Sequence, residues 1–518
     1  MLLLKVPIAR FVWHDVFASA VVFLVALPLS MGIAIASGVP MEKAASVGLV
    51  TAIIGGLVVG PLSGSPLQVS GPAAGLTVMV VDFIQKYGFE TLGIIVMIGG
   101  LVQIVAGLFR LGPVFRAVSP ALIQGMLAGI GVLIFASQFH VMVDDIPPGT
   151  GKEFGGILNL WLIPAAVFKG VTEPAHRPAA VIGLLTIAIL SLWAALAPKA
   201  LRLVPAALLG VVAATAATSS FDLDVRYVPV PERLLDAARA PRLADLDALR
   251  DIGVWLAGLS LAFVASAESL LTATAADSLQ RHAVRTGYNR ELIAQGTGNI
   301  LCGLLNVLPV TGVIVRTSAN VMAGARTRLS SFLHGAWILL FVLLLPQLLS
   351  MIPVAALAAI LVYTGAKLVK VDFAKDLWRQ DRIETLVFGV TFAGVVGFDL
   401  LTGILLGVGV SLARLVYTFS HLAIRVEKND TSRFVHMFLD GAATFIRLPR
   451  FAGALEEIPP GYDAHIHLGR LTYIDHACLT MLIDWGKNFE AAGGRLHLDR
   501  DILHRLFEEQ ASPSANAT

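Results

Sequence analysis

Apolar residues run in blocks of about 20, the length a helix needs to cross the hydrocarbon core of a bilayer. The breaks between blocks are short and polar or rich in Gly and Pro. Clear spans fall near 16–37, 43–60, 89–110 and 116–137, and six more near 178–197, 251–273, 288–307, 329–348, 384–398 and 401–420; weaker ones lie near 202–216 and 354–369. Two apolar stretches are too short to cross. They are GPAAGLTVMVV (71–81), after the breaker run PLSGSPLQVS, and TGVIVRTSANVMAG (311–324), after LNVLP. With these two as half-helices the pattern predicts fourteen segments.

The periodicity changes from about Arg425. RFVHMFLDGAATFIRL alternates like a strand, LPRFAGALEEI reads as a helix and DAHIHLGRLTYI as a buried strand; a longer helix is expected after Asp475 and a short strand at RLHL. Strands interleaved with helices predict a compact α/β domain. The expected layout is a membrane domain over 1–425, a small α/β domain over 430–510 and a disordered tail over 511–518.

Composition supports the membrane assignment. Hydrophobic residues make up 56% of the chain and charged residues 14%, against roughly 25% charged in soluble domains, and mean hydropathy is +0.78. A net charge of +2, with scattered basic residues, argues against a nucleic-acid partner. The N-terminal apolar run is span-length and lacks an A-x-A end, so no cleaved signal peptide is expected. If the N-terminus with Lys5 and Arg10 is cytoplasmic, most Lys and Arg between spans fall on the inside. One long outside segment, about 217–250, dissents with five arginines but carries a similar number of acids. The count of spans leaves the C-terminus inside too. Cys302 and Cys478 support neither a disulfide framework nor a zinc site and read as packing.

Two Gly/Pro-interrupted segments about 240 residues apart, at corresponding places in two halves, mark the midplane site of a transporter. A half-helix that starts inside the membrane leaves backbone N–H groups unpaired and presents about +0.5 charge at its N-terminus. Two such ends facing each other would hold a small anion. The residues there are small or apolar, Ala73 and Ala74 in the first segment and Gly312, Val313 and Ile314 in the second, so the backbone must supply most donors. The alternative is a pair of structural re-entrant loops. Arg316 adds a positive charge in the second segment, where an unpaired guanidinium costs about 2.5–3.5 kcal/mol on insertion scales; pairing with a carboxylate or snorkelling would be the structural alternative. Glu268, flanked by Ser266, Ser269 and Thr272, is a proton carrier, a cation ligand or the partner of Arg316.

Other features carry less. Asp251, Asp277 and Asp399 sit at span ends, where carboxylates cap helices, and His14 and His140 lie near membrane boundaries. His465 and His467, two apart on a strand, share a face but without further ligands read as surface side chains, so no metal site is expected. Gly55/Gly56 and Gly99/Gly100 suit close helix packing. No G-x-S-x-G, H-E-x-x-H or Walker-type motif is present, which disfavours an enzyme or an ATP-driven pump.

These residues resemble the sulfate permease (SulP) family of anion transporters. ALPLSMGIAIASGVP resembles the family's first helix, SGPAAGLTVMV its third, ESLLTATAAD its eighth, and PVTGVIVRTSANVMAGARTRLSS its tenth helix and exit. The tail with LTYIDHACLTMLIDW resembles the cytoplasmic STAS domain that follows. The resemblance implies seven-plus-seven inverted repeats, a core domain rocking against a gate domain, and a homodimer. It places the anion between the third and tenth helices, at Ala73 and at Gly312, Val313, Ile314, Val315 and Arg316, with Glu268 and Thr272 at the coupling or charge-compensating site.

The chain differs from particular members of the family at several positions. Many members have Gln where it has Leu29. Sodium-coupled bicarbonate transporters tend to have Asp at Glu268 and hydroxyl residues at Ala73 and Ile314, which favours H+ over Na+ as coupling ion. Signalling STAS domains carry a phosphorylatable serine where this chain has His476, after Asp475. IDHACL resembles the subgroup associated with carbonic anhydrases and tilts the substrate from sulfate toward bicarbonate. The expectation is a secondary transporter of a small inorganic anion in a bacterial inner membrane, working by alternating access with H+ coupling or anion exchange and with no cofactor. A dicarboxylate or other organic anion symporter, a channel, and a non-transporting sensor with STAS output are the competing readings.

Overall fold

A computed structural model describes residues 8–113, 119–149, 155–198, 204–229, 243–280, 285–429 and 433–498. The tail 511–518 lies outside them. Helices form where the apolar blocks predict them. The first set is α1 (Ile8–Ala36), α2 (Met41–Leu62), α3 (Thr77–Tyr87), α4 (Phe89–Leu108), α5 (Pro120–Met142), α6 (Gly155–Trp161), α7 (Ile163–Thr172), α8 (Arg177–Leu196) and α9 (Ala206–Ser220). The second is α10 (Ile252–Leu279), α11 (Tyr288–Leu304), α12 (Ile314–Met322), α13 (Leu329–Leu344), α14 (Val354–Leu368), α15 (Val371–Gln380), α16 (Arg382–Gly397) and α17 (Leu400–Ser420).

Two features differ from the hydropathy reading. The bent pair α6 and α7, angled at 46°, was not predicted because neither piece reaches span length. The amphipathic α15 buries none of its residues and carries too many charges to score as apolar. Without α6, α7 and α15, the described residues form fourteen segments in two sets of seven. The third of each set, α3 and α12, is a half-helix of 11 and 9 residues.

Packing sorts the segments into two groups. The helices α1, α2 and α4 pack with α10, α11 and α13, whereas α5 packs with α14 and α16, and α8 with α9 and α14. The tightest seam joins α4 to α11. Gly93, Gly100 and Gly107 recur every seven residues along α4, and a Cβ on Gly100 would lie 2.7 Å from the Gly296 carbonyl oxygen of α11. Small residues let the two backbones close up where apolar burial gives no net drive in lipid. Gly56 meets Gly335 of α13 in the same way, with a Cβ only 2.6 Å from its Cα.

The chain divides into two compact units, Met1–Gly407 and Val408–Thr518. The second holds a four-stranded sheet in the order β3 (Leu422–Asn429), β4 (Phe434–Ala443), β5 (Asp463–Ile474) and β6 (Arg495–Leu498); β3 is antiparallel to β4, and the other pairs are parallel. The helices α18 (Leu448–Glu456) and α19 (His476–Ala491) supply Phe451, Leu455, Leu479, Leu482 and Phe489 to a core with Val435, Met437, Leu439, Ala464 and Ile466. Asp475 caps α19 by accepting from the Cys478 N–H at 2.7 Å. The hydropathy reading did not separate β3 from the last span, because the apolar run of α17 continues into it. Both cysteines are free and buried.

Gly100→Leu should break the α4–α11 seam and cost about 1–3 kcal/mol through overpacking. In detergent it should lower the unfolding temperature, whereas Gly389→Ala, with nothing within 4 Å of its Cβ, should not.

Candidate functional site

Two short strands cross in the middle of the helical unit. β1 (Ser70–Gly71) pairs antiparallel with β2 (Thr311–Gly312), with Ser70 opposite Gly312 and Gly71 opposite Thr311. The pairing continues as the Val313 N–H donates to the Val69 carbonyl at 2.9 Å. β1 runs through Ala73 and a tight turn, Ala74–Leu76, into α3; β2 runs through Val313 into α12. Antiparallel strands send the two helices in opposite directions with their N-termini side by side. Neither start has a side-chain cap, which leaves leading N–H groups and the positive dipole ends for an anion.

Polar side chains hold both strands in place. Glu291, at the start of α11 and fully buried, accepts from Ser63 Oγ at 2.5 Å, the Gly64 N–H at 2.8 Å, the Ser65 N–H at 3.1 Å, Gln68 Nε2 at 3.0 Å and Gln295 Nε2 at 2.7 Å. Gln295 Nε2 also donates to Ser70 Oγ at 2.8 Å. From α12, Thr317 Oγ1 accepts from the Val69 N–H at 3.1 Å and Asn320 Nδ2 donates to the Leu67 carbonyl at 2.9 Å. The second strand is fixed by Asn299, which accepts from the Val310 N–H at 2.7 Å and donates to its carbonyl at 3.1 Å. Sequence reasoning passed over Glu291, Gln295 and Asn299. Their signal was a four-residue spacing that puts three polar groups on one face of an apolar span.

The predicted site residues converge on this crossing. Ala73 and Val313 are buried at the two helix starts, Ala74 opens the tight turn, and Gly312 is buried in β2. Ile314 and Val315 are 43% and 45% exposed, so the first turn of α12 presents apolar side chains outward. Gly312 is clamped by α10: its N–H donates to Ser269 Oγ at 3.1 Å and its carbonyl accepts from Thr272 Oγ1 at 3.0 Å. Thr272 therefore holds the backbone of the site. A Cβ on Gly312 would overlap the Gln68 amide, which Glu291 holds, so a larger residue there would have to displace that side chain.

Glu268 and Arg316 lie against different glycines of the first approach, Gly75 and Gly71. A Cβ on Gly75 would sit 2.6 Å from Glu268 Oε1, so the carboxyl lies against the turn that begins α3. Thr311 stands beside it, yet neither Glu268 Oε2 nor Thr311 Oγ1 completes a hydrogen bond. Arg316 is fully buried. Its Nη2 donates to Ser30 Oγ of α1 at 2.9 Å, its Nη1 packs against Gly71 where any Cβ would collide, and Nη1 and Nε lack partners. No ion pair joins Arg316 to Glu268, so the carboxylate-partner alternative for either residue does not hold. Leu29, beside Ser30, is buried in α1.

A cavity of about 470 Å³ runs between α3 and α5 from Thr77, one turn beyond Ala73, toward Asp82, Gln138 and Asp399. The other span-end carboxylates serve local structure. Asp251 accepts from the Gly253 N–H at 2.7 Å, Asp399 from the Thr402 N–H at 2.9 Å, and Asp277 from the Thr286 N–H at 3.1 Å.

Comparison with known proteins agrees with this architecture. The sulfate permease family model matches residues 12–391. YvdB of Bacillus subtilis, provisionally named a sulfate transporter, is 28% identical over 514 residues, which cover 95% of this chain and 93% of that one. The bicarbonate transporter BicA of Picosynechococcus is 26% identical over 439 residues, covering 80% of this chain and 72% of its own. The solved transmembrane domain of a cyanobacterial BicA superposes with a TM-score of 0.64 at 26% identity, over 78% of this chain and 99% of that one. The murine Solute Carrier 26 family member A9 anion transporter, solved inward-facing, gives 0.75 at 16% identity over 98% and 89% and shares the fold. A half-helix crossing built into two sets of seven spans, together with a family match across most of the membrane unit, places the chain in the sulfate permease family of anion transporters.

Proposed function

We propose that the protein is a secondary active transporter that moves a small inorganic anion, bicarbonate or sulfate, by alternating access, and that the anion is driven by a proton. The observation that carries this reading is the pair of uncapped helix N-termini at the β1–β2 crossing, with the Glu268 carboxyl against Gly75. An ionised Glu268 competes with the anion for the same dipole end. Protonation removes that competition, so proton and anion bind together and a symporter results. Ala73 and Ile314 offer no side-chain oxygen toward a sodium shell. Arg316, against Gly71, contributes a fixed positive charge that is not paired with Glu268. The named relatives support both anions, one through sulfate and one through bicarbonate.

The reading places the protein in the inner membrane of a bacterium as a homodimer with both termini cytoplasmic. Arg326 and Arg328, Lys367 and Lys370 then face the cytoplasm. A functional link to carbonic anhydrase would follow if bicarbonate is the substrate.

Three measurements test the proposal. In proteoliposomes, labelled uptake of one of the two anions should saturate and should follow an imposed proton gradient rather than a sodium gradient; folded protein that takes up neither anion would refute the substrate class. Glu268→Gln, which mimics the protonated carboxyl, should abolish proton-driven accumulation and retain anion-for-anion exchange. Unaltered pH dependence in that variant would remove Glu268 from coupling. Arg316→Ala, checked for monodispersity, should raise KM for the anion by about tenfold or more, the effect of losing roughly 1.4 kcal/mol of binding; an unchanged KM would take Arg316 out of the site.

A further inference from the structure

The sheet of the C-terminal unit has two unlike faces. One set of alternating side chains, including Val435, Met437, Ala464 and Ile466, is buried in the core. The other set is a band of imidazole and phenyl rings. The strand register puts His436 of β4 opposite His465 of β5, and His465 opposite His497 of β6. His465 and His497 stack with ring centroids 4.3 Å apart and planes at 15°.

Asp463 lies two residues before His465 and so on the same face. Its Oδ1 is 3.6 Å from His465 Nε2 and 3.0 Å from His497 Nε2. One ligand atom from each of the three residues can be chosen so that all lie within 4.8 Å of one another. In a tetrahedral site with zinc–ligand bonds of about 2.0–2.1 Å, donor atoms stand about 3.3–3.4 Å apart. The two distances to Asp463 bracket that edge length. Asp463 Oδ1 and His465 Nε2 are buried, and neither contact between them has hydrogen-bond geometry. Two donor atoms thus converge without completing a hydrogen bond, Asp463 Oδ1 having only its ion-pair-distance contacts to the two imidazoles.

The other two imidazoles on this face use one nitrogen each on one another. His436 Nδ1 meets His467 Nε2 at 3.1 Å, which leaves the Asp463 group as the open set. The charged neighbours are Glu427, which opposes His436 and pairs with Arg425 at 2.6 Å, and Arg495, which opposes Asp463.

We propose that Asp463, His465 and His497 form a binding site for a divalent transition-metal ion, zinc in the first instance, with a fourth position open. Two imidazoles and one carboxylate suit zinc among the late first-row ions. The ion would tie β6, which pairs with β5 over only four residues, to the body of the sheet. The spacing of His465 and His467 concealed this arrangement, because the second imidazole comes from β6 rather than from the same strand.

The test uses the full-length chain in detergent, without a histidine tag and stripped by chelator. Metal analysis and competition against a chromophoric chelator should give one zinc per chain. His465→Ala and His497→Ala should each weaken zinc binding by more than about tenfold, whereas His436→Ala should keep the stoichiometry. Zinc should raise the unfolding temperature of the wild type and not of Asp463→Asn, a substitution of nearly equal shape. Absence of stoichiometric zinc in the wild type, or zinc affinity unchanged in both His465→Ala and His497→Ala, would overturn the assignment.

Discussion

Backbone polar groups cannot be left without partners inside a membrane, and the β1–β2 crossing is where this chain departs from continuous helix and still meets that demand. Each unsatisfied group in hydrocarbon costs several kcal/mol, so irregular backbone persists only where protein surrounds it. Here the two extended approaches are pinned from both sides. Glu291, Gln295 and Asn299 act from α11, Thr317 and Asn320 from α12, and Ser269 and Thr272 from α10. The close seam between α4 and α11 sets α11 in position to do so.

The same arrangement explains why the crossing is lined by such plain residues. On the proposed reading, side chains that capped α3 or α12 would occupy the dipole ends left for the anion. Gly71 and Gly312 are glycines for a related reason, since a Cβ at either would strike Arg316 or Gln68. Chemistry is displaced to the surroundings. Glu268 reaches the turn at Gly75 from α10, and Arg316 folds back beneath Gly71 to Ser30. The two side chains lie against the crossing without forming an ion pair with each other.

The C-terminal unit uses the opposite economy. Its sheet is satisfied by strand pairing, and its specificity lies in which residues the pleat directs to each face. Core residues alternate with aromatic and polar ones along β4 and β5, so one face builds a core with α18 and α19 while the other collects imidazoles and Asp463.

Much of this was legible in the sequence. Lipid solvent makes length and hydropathy nearly sufficient to place a span, and the fourteen segments fall close to where the apolar blocks predict them. Interrupted segments at 71–81 and 311–324, Glu268 and Arg316 stand out because breakers and charges are costly in such surroundings. The sequence could not show that the interrupted segments pair strand to strand, that Thr272 clamps Gly312 rather than standing free, or that Arg316 and Glu268 avoid each other. Nor could it rank Glu291 above its neighbours, or join His465 to His497. Those outcomes depend on contacts between residues tens to hundreds of positions apart. Local pattern decides whether a segment enters the membrane or a strand; only the packing of segments decides which side chains meet, because distance in space is set by every other contact in the fold.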